Sequence, residues 1–300
     1  MAFKRRAKVD LSKLIEAATS EKKSYDDDRF WKIKRDDAGN GSALIRFLPS
    51  VVEHPIPWTS YKEYSFQGPT KRYYIEKSLE SIGQPDPVQE RFWKLWDEGE
   101  EEEAKKLQRR EYHVSNILVI EDEMNPNNEG KVFLFKYGKQ IFDMIKKAMN
   151  PEFKDKTKLD PFDVDDGPDF RIRLTDRGKR PPTYEDSEWT GTSAVGDESF
   201  LDKIDEQLYD LSEFTDPSTF KSYQELSEKL AEVLVLNKAK ISAPTQKEVD
   251  MFAKPEPKID TVDTDFIPEF NTAEVSEKTP PSSDTDDDLM AMFSGAMKNG

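Results

Sequence analysis

The chain has 300 residues, 35% charged and 35% hydrophobic, with a formal net charge of −16, two histidines and no cysteine. This length accommodates one large domain or two small ones, yet so polar a composition is not expected to fold along its whole length. Without cysteine there are no disulfides or thiolate zinc sites; no apolar run of about 18 residues offers a membrane span, and no apolar stretch marks a secretory signal, so a soluble intracellular protein is the default expectation.

From the N-terminus, Lys4, Arg5, Arg6 and Lys8 place four positive charges in the first eight residues with no acid among them. Leu11, Leu14, Ile15 and Ala18 then recur at helical spacing, so residues 1–20 read as a basic arm with a short amphipathic helix. Residues 30–35 and 43–48 flank Asp-Asp-Ala-Gly-Asn-Gly and predict a hairpin, with Asn40–Gly41 supplying the positive φ angles of its turn. Through 54–75 aromatic and basic residues interleave, from Trp58, Tyr61 and Lys62 to Lys71, Arg72, Tyr73 and Tyr74. Residues 88–107 carry a helical pattern with an acidic block at 97–103, which reads as a solvated face or an insertion.

Arg109 and Arg110 lead through Tyr112 into the most informative stretch, 116–145. Two β-rich runs, 116–120 and 131–137, flank a connection containing Asn-Pro, Asn-Asn and Glu-Gly and predict an antiparallel hairpin. Phe133, Phe135 and Tyr137 then share one strand face. With Lys131 at the start of that face these rings fit a surface for stacking unpaired bases; taken alone, filling a β-barrel core is the more ordinary reading. A helix follows, through Ile141, Met144, Ile145 and Ala148, and must end by Pro151.

Residues 160–169 read as an acidic loop. Phe170, Ile172 and Leu174 point inward from a short strand that turns Arg171 and Arg173 outward. Residues 178–191 lack core periodicity and read as a flexible loop presenting Lys179, Arg180 and Tyr184. Helices are predicted over 197–214 and 218–236. From about 241 the pattern fails, and residues 243–300 carry 13 acidic groups against 5 basic ones. A disordered acidic tail is expected there, with Asp286, Asp287 and Asp288 followed by Leu289 and Phe293 as a short partner-binding element.

Catalysis has little support. Neither His54 nor His113 sits in a motif, no glycine-rich phosphate loop occurs, and Asp163, Asp165 and Asp166 lie in a Pro/Gly loop too poorly preorganised for a Mg²⁺ site. Positive charge paired with aromatic rings recurs instead, at 71–74, 109–112, 135–137 and 179–184, the combination used on single strands. The middle of the chain, 9–242, still carries 36 basic against 48 acidic groups. Nucleic-acid binding therefore requires the cations to be gathered on one face. An acidic scaffold or DNA mimic that binds basic partners is the alternative.

Several motifs occur in order: FKRRA near the start, WKIKRDDAGNGSALIRFLPS, YYIE at 73–76, NILVIEDEMNPNNEGKVFLFKYGKQIFDMI, and DESFLDKIDEQLYDLSEFTDPSTFKSYQELSEKL from 197, ahead of an acidic C-terminus. With these the chain resembles the single-stranded DNA-binding, helix-destabilising replication proteins of T-even-type bacteriophages. The resemblance implies a mainly β chain with helices. Residues 1–20 would be a basic arm for cooperativity and 21–240 an OB-fold core with an inserted subdomain at about 54–111. Residues 241–300 would be an acidic tail for phage replication and recombination proteins.

It also implies cooperative, sequence-independent coating of single-stranded DNA in replication, recombination and repair, in the cytoplasm of an infected bacterium, without catalysis or membrane. By position, Lys4, Arg5 and Arg6 would serve self-association along DNA. Tyr73, Tyr112, Phe135, Phe142 and Tyr184 would line the cleft, with Arg46, Arg109, Arg110 and Lys136 on phosphates. Lys71, Arg72, Tyr137, Arg171 and Arg173 complete the candidate set. Family members hold a zinc ion between the YIE and NILV motifs with one His and three Cys. Here Ser78 stands about where the first Cys falls, so neither metal nor cofactor is expected, and packing by Phe92, Trp93 and Trp96 would take the metal's place. His113 and Val114 stand where relatives carry rings.

Overall fold

The computed structural model describes residues 27–51, 54–153 and 156–236. The basic arm and the acidic tail lie outside the described residues. Eight strands form one antiparallel sheet: β1 (Gly41–Phe47), β2 (Thr59–Gln67), β3 (Tyr73–Lys77), β4 (Arg109–Glu121), β5 (Val132–Tyr137), β6 (Pro168–Arg177), β7 (Arg180–Thr183) and β8 (Glu188–Thr192). Among the described residues five α-helices accompany them: α1 (Pro87–Asp97), α2 (Glu101–Lys106), α3 (Lys139–Met149), α4 (Glu198–Asp205) and α5 (Tyr223–Leu234). The result is a strand-rich, OB-like half-barrel with helices.

The 13-residue β4 organises it. Along one edge it pairs with β5, His113 opposite Tyr137 and Leu118 opposite Val132, so the expected hairpin forms. Along the other edge it serves two strands in succession: its first half faces β2, Thr59 opposite Val114, and its second half faces β1, Phe47 opposite Ile117. Because side chains alternate, both faces of β4 are buried from Tyr112 to Val119. One hydrophobic cluster gathers Phe47, Phe135, Tyr137, Ile141, Phe162 and Phe170. A second gathers Tyr64, Phe66, Tyr74, Phe92, Leu95 and Leu226 on the β2–β3 hairpin, where Trp93 and Trp96 pack half-buried against it.

In this second cluster Asp86 is a buried knuckle. Its carboxylate accepts the backbone N–H groups of Val88 (2.9 Å) and Gln89 (3.3 Å), capping α1, and that of Leu79 (2.9 Å) from the preceding turn. The helical pattern over 88–107 resolves into α1 and α2, broken at Gly99, whose φ of +82° suits glycine.

Five expectations change. Residues 31–36 do not form a strand against β1; Trp31 instead donates its backbone N–H to Leu134 (2.8 Å) and its indole N–H to Asp122 (3.0 Å), which draws this arm toward β5. The turn itself forms, with Asp36 accepting the N–H groups of Ala38 and Asn40 (both 2.9 Å), but the positive φ falls at Gly39. Gly41 is needed for close approach: a Cβ there would stand 2.6 Å from the Lys34 carbonyl oxygen.

Residues 178–191, read as a flexible loop, supply β7 and β8, both paired with β6. The two prolines of β7 are tolerated at the end of the sheet and erase the alternation that would have announced it. The predicted helix 197–214 stops at Asp205, because the buried Asn116 side chain bonds both the N–H and the C=O of Tyr209 (3.0 Å each). The last helix begins at Tyr223, where Ser222 and Glu225 form a capping box.

Candidate nucleic-acid interface

Period-two alternation divides the candidate residues between the two faces of β4. On one face the His113 ring stacks on Phe142 of α3, with centroids 3.7 Å apart and planes 19° from parallel. Trp58, at the approach to β2, meets Phe142 edge-on at 5.6 Å. The Ser60 hydroxyl fixes His113 from the other side, 2.7 Å from Nδ1. Burial disfavours the charged imidazole and the nearby Lys146 adds repulsion, so the His113 pKa drops from 6.5 to about 4. The histidine is therefore a neutral aromatic plate at ordinary pH.

Positive charge stands beside these rings because α3 is amphipathic. Ile141, Ile145 and Ala148 turn inward, leaving Lys139, Lys146 and Lys147 exposed along the outer crest. Lys146 Nζ lies 5.0 Å from the Phe142 ring centroid. Lys139 and Lys146 both pair with Asp143, which holds that carboxyl below its usual range despite partial burial. Half-buried rings and a solvated lysine ridge thus adjoin. Rings take stacked bases, and lysines take phosphate.

The opposite face of β4 carries Tyr112, with Lys136 of the neighbouring β5 on the same side, and the cations there are satisfied within the chain. Lys136 Nζ lies 4.0 Å from the Tyr112 ring centroid and 3.0 Å from Glu63. Lys77 sits among Tyr61, Phe214 and Phe220, each centroid within 5.0–5.6 Å, and burial lowers its pKa. Phe214 stacks on Tyr61 with planes 10° apart. Tyr112 is only 1% exposed, and burial raises its pKa.

Other candidates are buried or paired within the chain in this conformation. Phe135 and Tyr137 lie in the first core cluster, with the Tyr137 hydroxyl 2.9 Å from Ser115 Oγ. Arg46, 1% exposed, bonds Asp169 (2.7 Å) and the backbone and hydroxyl of Ser193 (3.0 and 3.1 Å). Arg109 is held by Glu80 and Gln89, and half-buried Arg110 lies across the ladder from Glu63. Arg171 pairs with Glu121 (3.0 Å) and Arg173 with Glu188 (3.3 Å).

Lys71, Arg72 and Tyr73 stand exposed at the β2–β3 turn, Arg72 pairing with Glu232 of α5. Tyr184 is half-buried against the first core cluster and bound through its N–H to Gln140 of α3 (2.8 Å). Gln140 and Phe142 are two positions apart on α3, so Tyr184 and the His113 platform approach different flanks of that helix. Lys4, Arg5, Arg6, Asp286, Asp287, Asp288, Leu289 and Phe293 lie outside the described residues.

The platform adds Trp58, Lys139 and Lys146 to the candidates, and it gives His113, a weak position by sequence, a stacked partner. Two signals could have found them. Tyr112 and His113 cannot share a strand face, so a choice between them was required; and Phe142 with Lys139 and Lys146 follows the i, i±3/4 spacing of one helical stripe.

Comparison with known proteins places this surface in context. The family described as "gp32 DNA binding protein like" matches residues 39–234, nearly all of the described sheet and helices. The single-stranded DNA-binding protein of Enterobacteria phage T4 is 32% identical over 98% of this chain and 94% of its own length. That of Enterobacteria phage T2 is 31% identical over the same shares. The single-stranded DNA-binding protein of Escherichia phage SV14 is 34% identical over 28% of this chain and 75% of its own. On the extent of these matches, this chain belongs to the gp32-like family of DNA-binding proteins.

Proposed function

We propose that the protein binds single-stranded DNA cooperatively and without sequence preference, coating and protecting it during phage DNA replication, recombination and repair in the infected bacterial cell. The observation that carries the proposal is the stack of His113 on Phe142 beside the lysine crest of α3. Bases would stack on the exposed parts of Trp58 and Phe142 while Lys139 and Lys146 release Asp143 and turn to phosphate. Lys71, Arg72 and Tyr73 would form an outlying contact. Arg46, Tyr112, Phe135 and Tyr137 would support the site from beneath rather than touch DNA.

The arm at 1–20, through Lys4, Arg5 and Arg6, would dock on the next protomer along the strand, a head-to-tail contact that propagates. The acidic tail, 241–300, would recruit replication and recombination proteins, with 21–240 as the DNA-binding core. The relatives are named for binding DNA rather than for a reaction, and no catalytic role is proposed here. No described helix is long and apolar enough to cross a membrane.

Titration with poly-dT at several salt concentrations tests the proposal. Affinity should fall with a log–log slope of about −0.7 per phosphate neutralised and exceed that for duplex DNA. Absence of binding at low salt would overturn it in favour of an acidic scaffold. Deleting residues 1–18 should leave binding to a short oligonucleotide nearly intact and abolish clustering on long strands.

A further inference from the structure

A groove of about 430 Å³ opens on the flank of α3 away from Phe142. Gln140, Met144 and Lys147 mark that flank, being spaced i, i+4 and i+7. Met144, Leu159 and Trp189 line the groove, and Lys147 and Lys156 reach its rim. Phe153 stands at its mouth with 64% of its surface exposed, the largest exposure among the large hydrophobic residues described. Glu152 is the one acid among the described lining residues.

We infer that this groove takes a base of a DNA strand that has left the His113–Phe142 platform and crossed α3, with the adjoining phosphates on Lys147 and Lys156. The inference rests on the function proposed above and extends the path of the strand. Three observations support it. An apolar wall with an exposed aromatic ring and a cationic rim is the chemistry that accepts a base and its phosphates together. Lys146 and Lys147 are adjacent on the crest, and the first stands over Phe142 while the second borders the groove, so one lysine ridge joins the two places. The crossing is also short: a helix with its side chains is about 10 Å across, a span that roughly three nucleotides cover at about 3.4 Å each.

The test is binding of oligo-dT graded from roughly 4 to 16 nucleotides by the full chain, compared with Phe153→Ala combined with Lys156→Gln. Both side chains are exposed, so circular dichroism and melting should match the unaltered protein. The double variant should bind the shortest oligonucleotide normally and the longest about five-fold or more weakly, as loss of one stacked base requires. Its salt slope on the longest should fall by about 0.7.

Equal affinity to the unaltered protein at every length would overturn the inference while leaving the proposed function intact, as would an equal loss at every length. Failure of the unaltered protein to bind any oligo-dT would overturn the function itself and the groove with it. If a peptide of residues 284–293 bound the unaltered protein but not the variant, and DNA affinity were unchanged, the groove would belong to a protein ligand and the inference would fall.

Discussion

The two faces of β4 carry similar residues in different states. On the Tyr112 face, cations and rings have found each other: Lys136 rests on Tyr112 and pairs with Glu63, and Lys77 is enclosed by three rings. On the His113 face the rings are stacked in a short pile, and the lysines beside it are exposed and share one carboxylate. On the assignment proposed above, aromatic and basic residues together are not a binding signature by themselves. What separates a binding surface from a structural one is whether the positive charge is already neutralised and desolvated within the fold. A charge enclosed in that way is committed to partners within the fold; one held loosely in solvent is available to a phosphate.

Four measurements sharpen or break this contrast. Tyr112→Ala removes a fully enclosed ring and should cost about 3–5 kcal/mol of stability, read by denaturant melting, while the fraction still folded keeps its DNA affinity. A small stability loss with a large loss of binding would reverse the assignment of the two faces.

His113 should make stability pH-dependent. Its folded pKa, about 4, lies below the unfolded value of 6.5, so between these pH values the unfolded chain holds the extra proton. Stability is thus full above about pH 6.5 and declines as pH falls toward 4, by on the order of 3 kcal/mol. His113→Gln should flatten that part of the profile; an unaltered slope would mean that other groups govern it.

Phe142→Ala should weaken single-strand binding by about 1–3 kcal/mol, the range for one stacked base, which oligo-dT titration would detect. Retention of full affinity would remove Phe142 from the interface. The smallest effects separate individual lysines. Lys146→Gln should lower the salt slope by about 0.7, whereas Lys136→Gln should leave the slope alone and lower stability, since it removes the ion pair to Glu63 and the cation over Tyr112. Equal slopes for the two variants would erase the distinction between the faces.

The sequence announced the hairpin of β4 and β5 because alternation and turn residues agreed there, and it announced α3 because its stripe was regular. It did not announce β7 and β8, where prolines and glycine hide strands that exist through pairing with β6. Nor could it show the end of α4, which a single buried amide, Asn116, imposes from 93 positions away. At the site, the residue types were legible and their sides were not. Phe135, Tyr137 and Arg46 carry the right chemistry, but only packing reveals that core contacts and Asp169 use it up. Trp58 was legible only as one ring of the interleaved stretch 54–75 and the α3 lysines only as the polar side of a helix; a turn of helix and a strand crossing bring them together in the fold.

The strand β4 has one more consequence. Its first half belongs with the hairpin that carries the helical cluster, its second half belongs to the half-barrel, and the chain passes from one to the other without a loop. Two lobes joined by a flexible segment melt separately and swing as rigid plates. Two lobes sharing a single continuous strand transmit load through peptide bonds and ladder hydrogen bonds, so loosening one frays the edge on which the other is built. Such a molecule is a torsion bar rather than a hinge: any widening between the lobes is a twist of β4, limited in amplitude, and heat should dismantle both lobes in one calorimetric transition.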